Sequence, residues 1–370
     1  MSADSTRAAL DAEVLAWMRE TAWTADEARF DALALRSFAY QYAYCEPYRL
    51  FCDARGATPN NVTRWQDVPA VPTGAFKELR IASFEPDHDV KVFRTSGTTT
   101  ARRGALHLDT LALYDASLLP TLRKLLFADL PPGERMLLRV LAPGPGEAPE
   151  SSLSHMFGRL LDELGSDESG FDLRAGKLDV DGLLGVLDAA DRTQPVALLG
   201  TAFAFVHLLD SLAERDRSLE LPADSLAMET GGFKGQSREV PRDELHALIS
   251  SRLGIDPARI VNQYGMTELG SQFYDSVLVD PAGERRKLGP PWVRVRLIDP
   301  TSNADSDPGQ PGMIQIHDLA NTGSVSALQT ADLGRAVDGD PPGFEVLGRQ
   351  PGAEQRGCSI AADHMLGRVR

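Results

Sequence analysis

The chain is poor in cysteine, in positive charge and in long apolar runs, and each shortage excludes something. Three cysteines, Cys45, Cys52 and Cys358, stand in 370 residues. That is too few for a disulfide framework. Cys45 and Cys52 lie seven apart, a spacing foreign to common zinc sites. This usage reads as a reducing, cytoplasmic protein. The opening MSADSTRAAL lacks the basic start and apolar stretch of a signal peptide. No run approaches the roughly 20 apolar residues of a membrane span. Lys and Arg number 38 against 53 Asp and Glu, a net charge of −15. Such a surface repels phosphate backbones, so nucleic acid is not the expected partner. A small anion stays open, because local field and backbone amides govern a site more than the sum does. Walker A and G-x-G-x-x-G patterns are missing, as are repeats and low-complexity tracts. The seven histidines are scattered, which excludes a zinc cluster.

What remains is ordinary globular composition, 42% hydrophobic and 25% charged. The length suits one large domain or two smaller ones. Residues 1 to about 55 carry apolar residues at helical spacing, such as Leu10, Val14, Leu15 and Met18. Asp26 is a candidate N-cap for the next helix. From about 90 to 275, short apolar runs such as VKVF, MLLRVL, PVALLG, LAMET and RIVNQY alternate with helical stretches. That alternation predicts an α/β architecture with parallel sheet. The stretch HLDTLALYDASLLPTLRKLLF reads as a helix directly after the TSG loop. From about 285, WVRVRLID, GMIQIHDL, VSALQTADLG and GFEVLGR read as short alternating strands. The texture divides the chain into residues 1–90, helical; 91–285, an α/β core; 286–345, β-rich; and 346–370, a hinge-like tail.

The segment FRTSGTTTARRG, residues 93–104, concentrates five hydroxyl residues beside the arginine pair Arg102–Arg103. A flexible linker, an unliganded Ser/Thr-rich turn and an anion-gripping loop are all compatible with it. Glycine lets successive amides converge on an anion. Hydroxyls rotate to meet phosphate oxygens, and arginine offers a charged fork.

The order of residues is more specific. TSGTTTARRG resembles the phosphate-gripping loop of the adenylate-forming superfamily, usually [ST]-[ST]-G-[ST]-T-G-x-P-K-G. Thr100 stands at the second glycine, and Arg102 and Arg103 replace Pro-Lys. NQYGMTELG (Asn262 to Gly270) resembles the Y-G-x-T-E segment. METGGFKG (Met228 to Gly235) resembles the Gly-rich turn against adenine. LQTADLGR resembles the T-G-D-L segment, and FEVLGRQPGAEQRG the hinge. Within the superfamily, VPTGAFK, RTSGTTT, GGFKG, YGMTE and LGRQPGAEQRGCS look like the LuxE-type acyl-protein synthetases, over roughly residues 70 to 360.

The resemblance implies an adenylate-forming α/β fold: a helical N-terminal part, parallel or mixed sheets flanked by helices, and a β-rich C-terminal subdomain. The usual C-terminal lid domain is expected to be largely absent, since twelve residues follow Cys358. It implies ATP-dependent activation of a carboxylic acid, fatty or other, to acyl-AMP with release of pyrophosphate. Transfer to a thiol follows. ATP and Mg²⁺ are the implied cofactors, and an acyl-accepting reductase or carrier protein the implied partner. A ligase passing the acyl group directly to an amine, CoA or carrier protein, and a non-catalytic nucleotide-binding subunit, are the alternatives.

Carried over residue by residue, Thr95, Ser96, Gly97, Thr98 and Thr99 would hold the outer phosphates, with Arg103 in the usual lysine position. The arginines also read as a solvated basic pair. Glu268 would bind Mg²⁺, as hard cations prefer carboxylate oxygen, or be a surface or capping glutamate. Thr267 would reach the α-phosphate. Tyr264, followed by Gly265, would stack on adenine or fill a core. Gly231 and Gly232 would let the purine approach. Asp332 would accept from the ribose hydroxyls, and Arg349 would contact ribose or phosphate or form a structural ion pair. Cys358, near Arg356 and His364, would accept the acyl group. The catalytic lysine of the larger enzymes' lid has no counterpart. Lys234 is the candidate replacement, with Lys77 behind it. Cys45 and Cys52 read as helix-core residues, Phe203 and Phe205 as pocket wall or core, and His155 and His207 stay off the catalytic list.

Overall fold

The structure, a computed structural model, describes residues 3–96, 102–191, 193–231, 240–349 and Met365. It divides into two compact units interleaved in sequence. The first comprises the described residues up to Thr121, Met266–Gln272, and those from Lys287 onward. The second comprises Leu122–Gly265 and Phe273–Arg286. These boundaries cut across the four stretches of texture read from the sequence.

In the first unit the chain begins with helices Ala3–Met18, Glu27–Tyr44 and Glu46–Asp53. Asp26 caps the second, accepting from the Arg29 amide at 2.9 Å. That helix buries Phe30, Leu33, Ala34, Ser37, Phe38 and Gln41, a stripe at helical spacing. The β-rich part forms an antiparallel sheet in the order Val293–Ile298, Gly312–Asp318, Ala327–Val337, Gly343–Arg349, Lys287–Leu288. Val71–Pro72 adds a short parallel pairing to Ala327–Val337.

One expectation is corrected here. The strand Lys91–Arg94 is not followed directly by a helix. Ala105–Leu108 returns antiparallel to it, with Arg94 opposite Ala105 and Lys91 opposite Leu108. Residues 95–104 therefore connect the two arms of a hairpin, and the helix begins only at Ala112. ALHL is too short for its alternation to stand out against the helical run behind it.

The second unit is a sheet in the order Phe273–Asp275, Ile260–Tyr264, Leu226–Thr230, Val196–Thr201, Leu137–Leu141, Gly170–Phe171. All neighbours are parallel except the first pair. Leu137–Leu141 and Leu226–Thr230 are buried at every position, as strands covered on both faces are. Helices Val180–Ala189, Ala202–Glu214 and Arg242–Leu253 pack into one core with these strands through Leu184, Phe205, Leu209 and Ile249. Helix Ser152–Leu164, unassigned from the sequence, is capped by the Ser151 hydroxyl, which accepts from the Ser154 amide. No helix among the described residues is long and apolar enough to cross a membrane.

Candidate active site

In the first unit, the base of the hydroxyl-rich loop is well defined. The Thr95 amide donates to the Gly104 carbonyl at 2.9 Å, and the Gly104 amide donates back to Thr95 Oγ1 at 2.9 Å. The hydroxyl thus closes the hairpin mouth while its own proton stays free to turn. Arg103 lies along the same mouth: its Nε donates to the Thr95 carbonyl at 2.7 Å. Arg102 reaches Glu78 at 2.7 Å, an exposed pair worth little. Ser96 is exposed.

Glu268 meets this mouth from a distant part of the sequence. A Cβ added to Gly104 would lie 3.2 Å from Thr95 Cγ2 and 3.3 Å from Glu268 Oε1. Thr95 Oγ1 would lie 3.6 Å from the same position, so the Thr95 side chain and the Glu268 carboxylate both approach Gly104. Glu268 is 5% exposed. It stands in the turn after strand Ile260–Tyr264, with Thr267 half-buried beside it. Among the described residues no three of His, Cys, Asp and Glu come together as a metal cage. A single buried carboxylate with a hydroxyl nearby fits Mg²⁺, which keeps several waters and shares phosphate oxygens. It does not fit zinc.

Asp332 and Arg349 are also brought together. They are opposite residues of neighbouring antiparallel strands, with Arg349 Nε 3.5 Å from Asp332 Oδ1. The ladder shifts register between Leu333 and Gly334, and Gly348 across from it has φ of 122°, which few side chains tolerate. The irregularity marks a local bend of the kind that re-aims side chains.

In the second unit, Gly231 follows strand Leu226–Thr230 with φ of 76°. Tyr264 ends the neighbouring parallel strand, half-buried, its ring 6.1 Å from Phe273. Gly265 is exposed. Both candidates lie at the carboxyl ends of parallel strands, where α/β sheets take ligands. Below them the sequence reading missed a buried cluster. Glu229 Oε1 accepts from Asn262 Nδ2 at 2.7 Å and lies 3.1 Å from His246 Nε2. Phe205 is core, and His207 is exposed on the far side of its helix. His155 is half-buried.

Cys45 and Cys52 are fully buried, free thiols. Burial pushes them up to about 11 and about 12 respectively. Gly97, Thr98, Thr99, Gly232, Lys234 and Cys358 lie outside the described residues, as do Thr100, Arg356 and His364. Lys77 is half-buried in a single helical turn, Thr73–Lys77.

Solved ligase structures share this architecture. 2-Hydroxyisobutyryl-CoA ligase, in an open conformation with 2-HIB-AMP and CoA, superposes with a TM-score of 0.63 at 16% identity. The match covers 87% of this chain and 75% of that one. The same ligase in its postadenylation state gives 0.62 at 15% identity, covering 88% and 69%. The fold is that of the adenylate-forming ligases. Sequence comparison narrows the class. A long-chain-fatty-acid–luciferin-component ligase of Vibrio harveyi is 23% identical over 350 residues, covering 92% of this chain and 89% of the relative. Its counterpart in Aliivibrio fischeri is 22% identical over 346 residues, covering 91% and 88%. The profile of LuxE, acyl-protein synthetase, matches residues 175–366, over half of the chain. The chain belongs to the LuxE acyl-protein synthetase family, enzymes of ATP-dependent acyl activation and transfer.

Proposed function

We propose that this enzyme converts a fatty acid to its acyl-adenylate and passes the acyl group through Cys358 to a partner protein. The observation that carries the reading is the meeting of Thr95 and Glu268 over Gly104. Two segments with little reason to touch in a scaffold form one polar spot, with a carboxylate suited to a hard cation and a hydroxyl suited to phosphate. The names of the Vibrio and Aliivibrio relatives support a long-chain acid as substrate.

The first half-reaction asks a carboxylate oxygen to attack the α-phosphorus. The bond from that phosphorus to the bridging oxygen breaks, and pyrophosphate leaves with the electron pair. Negative charge accumulates on phosphoryl oxygens, so catalysis is chiefly fixed charge and fixed donors. Thr95, Ser96 and the loop to Thr99 bind the outer phosphates, with Arg103 bringing charge to the mouth. Glu268 is the carboxylate that would hold Mg²⁺, which would supply charge neutralisation. In the first unit Asp332 accepts from the ribose hydroxyls; in the second, Gly231 and Tyr264 are the residues that the family resemblance implies for adenine. In the second half-reaction the Cys358 thiolate attacks the acyl carbon. A thioester forms, and AMP leaves as the good leaving group that free carboxylate lacks.

The test separates the halves. Acid-dependent exchange of labelled pyrophosphate into ATP reads the first, and a hydroxylamine-sensitive mass adduct reads the second. Glu268→Gln lowers exchange by about 100-fold or more. Cys358→Ser leaves exchange intact and abolishes the adduct. Full acyl transfer by Cys358→Ser assigns the acceptor elsewhere. Absence of AMP with every acid from short to long chain rejects the reading.

A further inference from the structure

Glu268 is a single carboxylate on a short turn, and a turn alone does not hold a side chain to the tolerance that a small, rigid cation demands. The support comes from one buried loop of the first unit, Asp318 to Ser326. Asp318 is 0% exposed. Its Oδ2 accepts from the Gly270 and Ser271 amides at 2.9 and 2.8 Å. Its Oδ1 accepts from Ser271 Oγ at 2.8 Å and from the Ala320 amide at 2.9 Å. Those four bonds use the acceptor capacity of a carboxylate, so Asp318 grips the turn rather than a cation. Asn321, 2% exposed, donates from Nδ2 to the carbonyl of Glu268 itself at 2.7 Å. Gly270 makes the seating possible, since a Cβ there would lie 2.7 Å from Ala320 Cβ and 3.2 Å from Asn321 Oδ1.

The loop is itself immobilised. Gln41 Nε2 donates to the Asn321 and Thr322 carbonyls, and Gln41 Oε1 accepts from the Ser326 amide. Thr322 donates to Asp11 at 2.6 Å, Ser83 to the Gly323 carbonyl, and Ser324 to the Ile81 carbonyl. An apolar plug would fill the same volume without directional bonds. This loop fixes the backbone from the Glu268 carbonyl to Ser271, immediately after the Glu268 side chain, as outer partners of metal ligands do.

We propose that Asp318 and Asn321 are positioning residues for Glu268, setting the affinity of the site for the metal–nucleotide complex without touching it. The proposal rests on the reading of Glu268 as the metal-holding carboxylate. The probe is Mn²⁺ with ATP and no acid, so nothing turns over, followed by the rise in water-proton relaxation rate over that of Mn²⁺·ATP without protein. Asn321→Ala and Gly270→Ala each weaken Mn²⁺·ATP binding about 10-fold while the protein still melts cooperatively. In a Glu268→Gln background, Asn321→Ala adds nothing further, the non-additivity expected of residues acting through one group. Should both variants fail to fold, Ser271→Ala, which removes one of the four donors to Asp318, carries the same comparison. Folded variants that bind Mn²⁺·ATP as the parent does, or effects that add fully to Glu268→Gln, overturn the positioning role alone. Unchanged binding by Glu268→Gln itself overturns the underlying reading of the site.

Discussion

At the scale of single residues, the three cysteines are chemically unequal. A thiol reacts as thiolate. With Cys45 at about 11 and Cys52 at about 12, the thiolate fraction of either at pH 7.5 is on the order of one in a thousand or less. Both are also sealed from solvent by the helix Glu46–Asp53 and its neighbours. Folded protein at pH 7.5 therefore takes up no iodoacetamide at Cys45 or Cys52, and peptide mapping after quench checks it. An acyl adduct mapped to either would contradict their burial and the assignment to Cys358 together. Both were expected in helix cores: Cys52 lies in helix Glu46–Asp53, whereas Cys45 is the extended residue that ends one helix and opens the next. The thiol pKa shifts were not legible in the sequence, since they arise from what packs around the helix.

At the scale of elements, the hairpin Lys91–Arg94 with Ala105–Leu108 brings the base of the hydroxyl-rich loop to Glu268, and Gly104 is its tight point. Gly104→Ala forces Thr95 or the end of the Glu268 side chain to give by a few tenths of an ångström. The carboxylate, on a longer and more flexible chain, moves first. Exchange of pyrophosphate falls on the order of 10-fold with little change in melting temperature, and Gly104→Val costs more in both. Unchanged exchange with Gly104→Val would remove Gly104 from the site. The sequence made Thr95 and Glu268 visible through ordered motifs, and the runs PVALLG, LAMET and RIVNQY visible as strands because each is short, carries adjacent apolar residues and runs into a glycine. Gly104, Asp318 and Asn321 carried no such signal. Their meaning lies in contacts with residues far along the chain, and Asp318 in HDLANTGS looks like any strand-end aspartate. The return strand ALHL was hidden by its length and by the helical run behind it.

At the scale of the whole molecule, the chain passes between its two compact units at four points: after Thr121, Gly265, Gln272 and Arg286. Each unit nevertheless has a core and polar fastenings of its own. In the first, buried Gln41 ties helix Glu27–Tyr44 to the Asp318–Ser326 loop through bonds to Asn321, Thr322 and Ser326. In the second, Asp275, 1% exposed, accepts from the Asn262 amide at 2.9 Å and from Arg285 Nη1 at 2.8 Å, fastening the antiparallel edge strand. Units with separate cores unfold separately unless their coupling exceeds the stability of the weaker one. Calorimetry is therefore expected to show a transition enthalpy larger than the van't Hoff value. Gln41→Ala strands several buried partners and costs about 3 kcal/mol, lowering one component by about 5 °C or more. Asp275→Ala, which removes the carboxylate partner of Arg285 and the acceptor of the Asn262 amide, lowers the other. A single two-state transition shifted by both substitutions alike would show that the interleaved chain, not the separate cores, sets cooperativity.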